Sequence, residues 1–256
     1  MDAETTQAEE LSLPQAFLLL ATNDKNGKPD VPVYALRTTL AGAILAELEL
    51  LGAIALEGKY VRATGTAPKT EFQHVLELIR GKSRPHSPKR WVSMLEGRAE
   101  VQRVYEGMAS RGIVEHVGEK HLGLFKSVRY PEKDHGPEAA LLEKIKTALS
   151  GAAPVSPKSE SPGSNAKASD SKPDSQLSDS PVPGSKPDTK APVVTVTDAR
   201  TTALMALLQA AGLLGKLFPA ADQSRASQLA KDYWPARAVE DELRMIRLAQ
   251  EESATL

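Results

Sequence analysis

The chain has 256 residues, 41% of them hydrophobic and 4% aromatic, with a formal net charge of −1. That length suits one large domain or two small ones, with a core built mainly from Leu, Ala, Val and Ile. The charge balance excludes a globally basic nucleic-acid binder, and the absence of cysteine excludes disulfides, thiolate catalysis and Cys-ligated zinc.

The chain opens on an acidic stretch, residues 1–10, carrying Asp2, Glu4, Glu9 and Glu10. A secretory leader would start with positive charge and run into an apolar segment, and no apolar run here reaches the ~18–20 residues that span a bilayer. The expectation is a flexible N-terminus on a soluble, cytoplasmic protein. Residues 11–21 read as a first apolar helix, with Ser12 and Pro14 as start signals, and 23–29 as a turn. A helix follows from about Arg37 to Leu51, stopped by Gly52. Ile54–Leu56 and Tyr60–Ala63 then flank Glu57-Gly-Lys59 as a hairpin. Another helix covers about 69–80. A basic, proline-broken loop leads to a helix beginning at Trp91, and Arg98 to Arg111 forms the next. A second hairpin spans Ile113 to Tyr130, with Gly118-Glu-Lys120 read as its tip. Residues 137–149 are strongly helical.

From about Gly151 the composition changes to Ser, Pro, Lys and Asp with no hydrophobic periodicity. Such a tract cannot bury enough apolar surface to offset its ordering entropy, so 151–193 is expected to be a disordered insertion. It divides a first part, 11–150, from C-terminal helices in 194–256. One reading makes it an expanded loop inside a single helical domain; the other makes it a linker between two. Asp198 is placed to cap a helix whose Leu204, Leu207, Leu208 and Ala211 share a face. Pro219 and Asp222 mark a turn, and Trp234 to Leu248 forms a last helix, interrupted early by Pro235. The fold class is mainly α with small β-hairpins, an α+β arrangement.

Two stretches make the same move. Leu40–Leu56 is a helix that Gly52 turns straight into a strand, and Val104–Val114 repeats it with Gly112. With Leu11–Leu20, Asp24, Gly27, Leu122–Phe125, Arg129–Pro131 and the late helix from Thr201 to Phe218, the order resembles the Golgi phosphoprotein 3 family in its bacterial form. The resemblance covers roughly 11–150 and 196–250. In eukaryotic members it implies a peripheral membrane protein that binds phosphatidylinositol 4-phosphate and adapts Golgi enzymes to coatomer. The family's headgroup pocket uses a Trp and an Arg around the second helix and two Arg on a later one. Those places fall here on Pro32, Ala41, Arg98 and Val101, with Arg103 close to the last and Tyr34 or Arg37 as substitutes near the first. The family's membrane-dipping hairpin maps onto the segment with Leu122, Leu124 and Phe125. The arginine-rich segment that contacts coatomer is replaced by the acidic N-terminus.

Read for chemistry, the chain offers no nucleophile elbow and no dinucleotide fingerprint. Arg80-Gly-Lys-Ser83 is not a P-loop, since Leu76 stands where its first glycine belongs and Pro85 blocks the helix. Histidines 74, 86, 116, 121 and 135 lack helical metal-ligand spacing and read as surface residues. No pattern sets two carboxylates across a cleft, so a non-enzyme is expected, with no cofactor or metal. The strongest charge feature is Arg80, Lys82, Arg84, Lys89 and Arg90, in a segment free of acidic residues. With Arg98 and Arg103 it offers arginine forks and lysine point charges to phosphate. The leading expectation is therefore a peripheral binder of anionic, phosphoinositide-like headgroups, with an anionic membrane surface, protein clients and a second copy of the chain as candidate partners. A winged-helix-like nucleic-acid module is the alternative, weakened because Glu47, Glu49, Glu100 and Glu106 sit on its candidate recognition helices. A protein–protein adaptor without lipid binding is the third reading.

Overall fold

The computed structural model describes residues 10–65, 68–121, 125–150, 198–220 and 223–254. The expected N-terminal tail apart from Glu10 and the expected disordered insertion, and with them Leu122 and Leu124, lie outside those residues. So does the side chain of Phe125.

The fold is organised around one helix, α2 (Val33–Leu50), in which every residue from Ala35 to Leu48 except Arg37 is buried. A helix that is apolar all round has no solvent face to offer and must be enclosed. Its small residues, Ala41, Gly42, Ala43 and Ala46, let neighbours approach closely. Those neighbours are α1 (Leu13–Leu20), α4 (Pro88–Leu95), α5 (Arg98–Ser110), α7 (Ala199–Ala210) and α10 (Trp234–Ala254). At Gly42 the approach is closest, for an added Cβ would stand 2.2 Å from Cγ2 of Val239 in α10. The helices on the far side of the insertion thus share a core with those before it. The remaining helices are α3 (Gln73–Arg80), α6 (Gly136–Ser150), α8 (Leu214–Leu217) and α9 (Gln223–Ala230).

Both glycine joints exist. Gly52 and Gly112 take φ of 65° and 74°, and each lets the following residue bond back into the last helical turn, Ala53 N–H to the Leu48 carbonyl and Ile113 N–H to the Met108 carbonyl. Two antiparallel hairpins follow, β1 (Ile54–Glu57) with β2 (Tyr60–Ala63) and β3 (Val117–His121) with β4 (Phe125–Arg129). The second corrects the sequence reading. Gly118, Glu119 and Lys120 are not a tip but strand residues paired in register with Val128, Ser127 and Lys126.

Two helix starts and one expected interruption also differ, each for a local reason. Helix α2 begins at Val33, directly after Pro32, whose fixed φ suits the residue before a helix. Helix α4 begins at Pro88, because the Ser87 hydroxyl accepts from the Arg90 N–H and Pro88 needs no donor in the first turn. Lys89 and Arg90 are therefore helical rather than part of an extended loop. Helix α10 runs through Pro235 uninterrupted, since that residue is its second and has no intrahelical bond to lose.

The acidic residues of α2 are also not those of a recognition helix. The Glu47 carboxylate, 4% exposed, accepts from the Leu13 N–H at 2.7 Å and from the Arg200 guanidinium at 2.6 and 3.0 Å. It ties α1, α2 and α7 together from within. Glu49 accepts from the Trp234 indole, and burial raises its pKa.

Candidate anion-binding site

The loop between α1 and α2 is held against the end of β4. Gly27 takes φ of 63° with its α-carbon so near the chain that a Cβ would lie 2.5 Å from the Tyr130 and Pro131 nitrogens. The Gly27 carbonyl accepts from Tyr130 N–H at 3.3 Å, and the Asp24 carbonyl from Glu132 N–H at 3.1 Å. Tyr130 stacks flat on Tyr105 of α5, ring centres 4.3 Å apart and planes within 1°. The Tyr105 hydroxyl lies 2.5 Å from Thr22 Oγ1, and burial pushes its pKa up to about 12, so it stays neutral. A rigid aromatic wall therefore stands between α1, α5 and β4.

In front of that wall is a cavity of about 290 Å³. Arg37 reaches it from the start of α2, and Arg98 from the first position of α5. Neither helix has a side-chain cap, since Pro32 and Gly97 occupy the cap positions, so free N–H groups and the positive end of each dipole accompany the two guanidinium groups. The Thr38 hydroxyl donates to Glu96 at 2.7 Å and fixes the turn before α5 against α2. Among the described residues neither arginine has a carboxylate within ion-pairing distance. Two exposed apolar side chains, Val33 (54%) and Val128 (39%), stand on the cavity's lining.

Of the basic residues named from charge along the sequence, only Arg98 lines this cavity, joined there by Arg37 and Val101 from the places that the family resemblance marks. Arg103 points elsewhere on α5 and lies 3.6 Å from Glu100, which also holds His74 at 3.0 Å. Arg80 and Lys82 line a separate concavity of about 320 Å³ beside Arg62 of β2, over the buried Trp91. Arg84 and Arg90 are exposed. Lys89 is 4.0 Å from Glu242 of α10, so the segment does have an acidic neighbour, brought from far along the chain. Ala41, on which the resemblance places a pocket cation, is fully buried, whereas Arg37 one turn earlier lines the cavity. Val33 and Val128 went unnoticed in the sequence, because exposure of single valines leaves no periodic signal.

One further grouping brings together carboxylates that the sequence leaves scattered, beside His135, which is exposed as expected. Asp24, Glu132 and His135 bring their ligand atoms within 4.8 Å of one another. Glu138, in the first turn of α6, joins them, its pKa pushed up to about 8 by burial and then by the charges of Asp24 and Glu132.

A family model for Golgi phosphoprotein 3 matches residues 13–246, nearly the whole chain, and the chain belongs to that family. No curated protein matches it.

Proposed function

We propose that this member of the Golgi phosphoprotein 3 family is a peripheral membrane-binding protein that holds a phosphate-bearing lipid headgroup between Arg37 and Arg98. The observation that carries the reading is the pairing of two arginines, free of carboxylate partners among the described residues, at two uncapped helix N-termini over one cavity. Guanidinium forks match phosphate oxygens in geometry, and helix N-termini favour anions. Val33 and Val128 on the same face would enter the interfacial layer as the headgroup docks. Among the described residues no helix is long and apolar enough to cross a membrane, which suits attachment from one side. A cavity of about 290 Å³ lies at the lower end of small-ligand sites and admits a headgroup rather than an acyl chain. The reading needs no chemistry on the bound group.

The test is flotation with phosphatidylcholine vesicles carrying, one at a time and at equal charge, phosphatidylserine, phosphatidylinositol or phosphatidylinositol 4-phosphate. Each basic residue near an anionic surface contributes on the order of 1 kcal/mol, so R37A and R98A should each lower partitioning about fivefold and together about thirtyfold. K89E/R90E should lower it far less. Val33→Ser with Val128→Ser should weaken binding without shifting the thermal midpoint. Binding that survives the loss of both arginines but falls with K89E/R90E would place the contact on the Arg80–Arg90 segment and overturn the assignment. Binding to DNA with a steep salt dependence would favour the nucleic-acid alternative, which the enclosure of α2 already disfavours.

A further inference from the structure

We propose that Asp24, Glu132 and His135, with Glu138 beside them, form a binding site for one divalent cation of the manganese or zinc class. The site does not depend on the headgroup reading.

Three chain segments build it: the α1–α2 loop, the strand exit after β4, and the first turn of α6. Their backbones are fixed independently of the side chains in question. Glu132 N–H donates to the Asp24 carbonyl at 3.1 Å, Lys133 N–H to the Ile113 carbonyl at 2.9 Å, and Glu115 N–H to the Pro131 carbonyl at 2.9 Å. The ligand atoms of Asp24, Glu132 and His135 all lie within 4.8 Å of one another. Around a cation with ligands at about 2.0–2.2 Å, neighbouring donors stand ~3–4 Å apart, so small side-chain adjustments complete the shell.

Glu132 is the decisive residue. Its side chain is only 3% exposed. One carboxylate oxygen meets His135 Nδ1, while the other, Oε1, meets no N–H or hydroxyl donor among the described residues, the neighbouring Glu138 carboxyl bonding to Glu132 only while it is protonated. A buried carboxylate oxygen without a donor carries the full desolvation penalty, and natural structures rarely tolerate it without an unseen partner. Among the described residues no lysine or arginine pairs with Asp24, Glu132 or Glu138. A bound cation supplies that missing partner and neutralises carboxylates that otherwise crowd one another. The donor set names the cation's class. Carboxylates alone would suit magnesium or calcium, whereas an added imidazole shifts preference to first-row transition ions. The spacing Glu132-x-x-His135-x-x-Glu138 is what the sequence carries of this site, with Asp24 supplied from more than a hundred residues earlier.

The test uses the full chain, stripped with chelator and titrated with Mn2+ while free ion is read by electron paramagnetic resonance. One Mn2+ per chain is expected, displaced by Zn2+ and not by equal Ca2+. Loss of a contributing ligand should weaken it by at least about tenfold, so Asp24→Asn and His135→Ala should each do so with unchanged circular dichroism. Both residues are exposed, which keeps these variants folded even if Glu132→Gln is not. Absence of a saturable site, or a site indifferent to both exposed variants, would overturn the proposal. Displacement by Ca2+ as readily as by Zn2+ would overturn the assigned class.

Discussion

The contact between Gly42 and Val239 sets how closely α10 can lie on α2, and it makes a quantitative prediction. A methyl added in Gly42→Ala would stand 2.2 Å from Val239 Cγ2 and 3.5 Å from both Leu207 Cδ2 and the Pro235 carbonyl oxygen. Carbon atoms rest about 3.5–4.0 Å apart, so the new methyl is roughly 1.5 Å too close to one neighbour and in ordinary contact with the others. Val239 is fully enclosed, so relief requires α10 to move. Overpacking of this kind costs about 1–3 kcal/mol, while replacing glycine by alanine inside a helix returns about 0.5–1 kcal/mol. The net expectation is a loss of about 1–2 kcal/mol. Val239→Ala alone removes two buried methyls and should cost at least ~1.6 kcal/mol. Combined with Gly42→Ala, it vacates the space that the new methyl needs, so the double variant should be more stable than the sum of the two losses by at least about 1 kcal/mol. Urea unfolding followed by far-ultraviolet circular dichroism on all four proteins gives the cycle. Losses that add within about 0.5 kcal/mol, or a Gly42→Ala protein more stable than the parent, would refute the claim that steric approach decides this position.

Glu47→Ala leaves the Arg200 guanidinium and the Leu13 N–H without their acceptor and should cost about 3–5 kcal/mol in the same assay, with Glu47→Gln recovering only part. The Glu138 carboxyl, pushed up to about 8 from 4.5, keeps a proton in the folded chain that the unfolded chain has already lost. Its contribution to stability is therefore complete below about pH 4.5 and disappears as pH rises through about 8. In the presence of chelator, Glu138→Gln should flatten the fall of the thermal midpoint across that window, and parallel curves for the two proteins would contradict the assignment.

Local signals wrote most of the helical frame into the sequence. Gly52 and Gly112 stop their helices where expected, and the Asp198 carboxylate accepts from Thr201 N–H as a cap should. Prolines misled for a consistent reason, since Pro32, Pro88 and Pro235 stand beside or inside the first turn of a helix, where they start rather than break it. The hairpin tip was misread because Gly118 beside charged residues imitates a turn, whereas pairing with β4 decides the register. Site geometry was less legible. Charge density along the chain pointed to Arg80–Arg90, yet the cavity draws single arginines from two helix starts sixty residues apart. Only tertiary packing puts Arg37 beside Arg98, or Asp24 beside Glu132, and no local pattern encodes either meeting.

The enclosure of α2 also has a consequence for how the protein is made. Its last apolar turn is synthesised near residue 50, while α10, which covers much of it, ends at residue 254. At about 5–20 residues per second, roughly 10–40 s separate the two on the ribosome. For most of that interval, until the chain passes residue 210, an almost wholly apolar helix has neither α7 nor α10 to pack on. The nascent chain is thus a natural client for holding chaperones, and truncation anywhere before Trp234 should yield aggregates rather than a smaller folded protein.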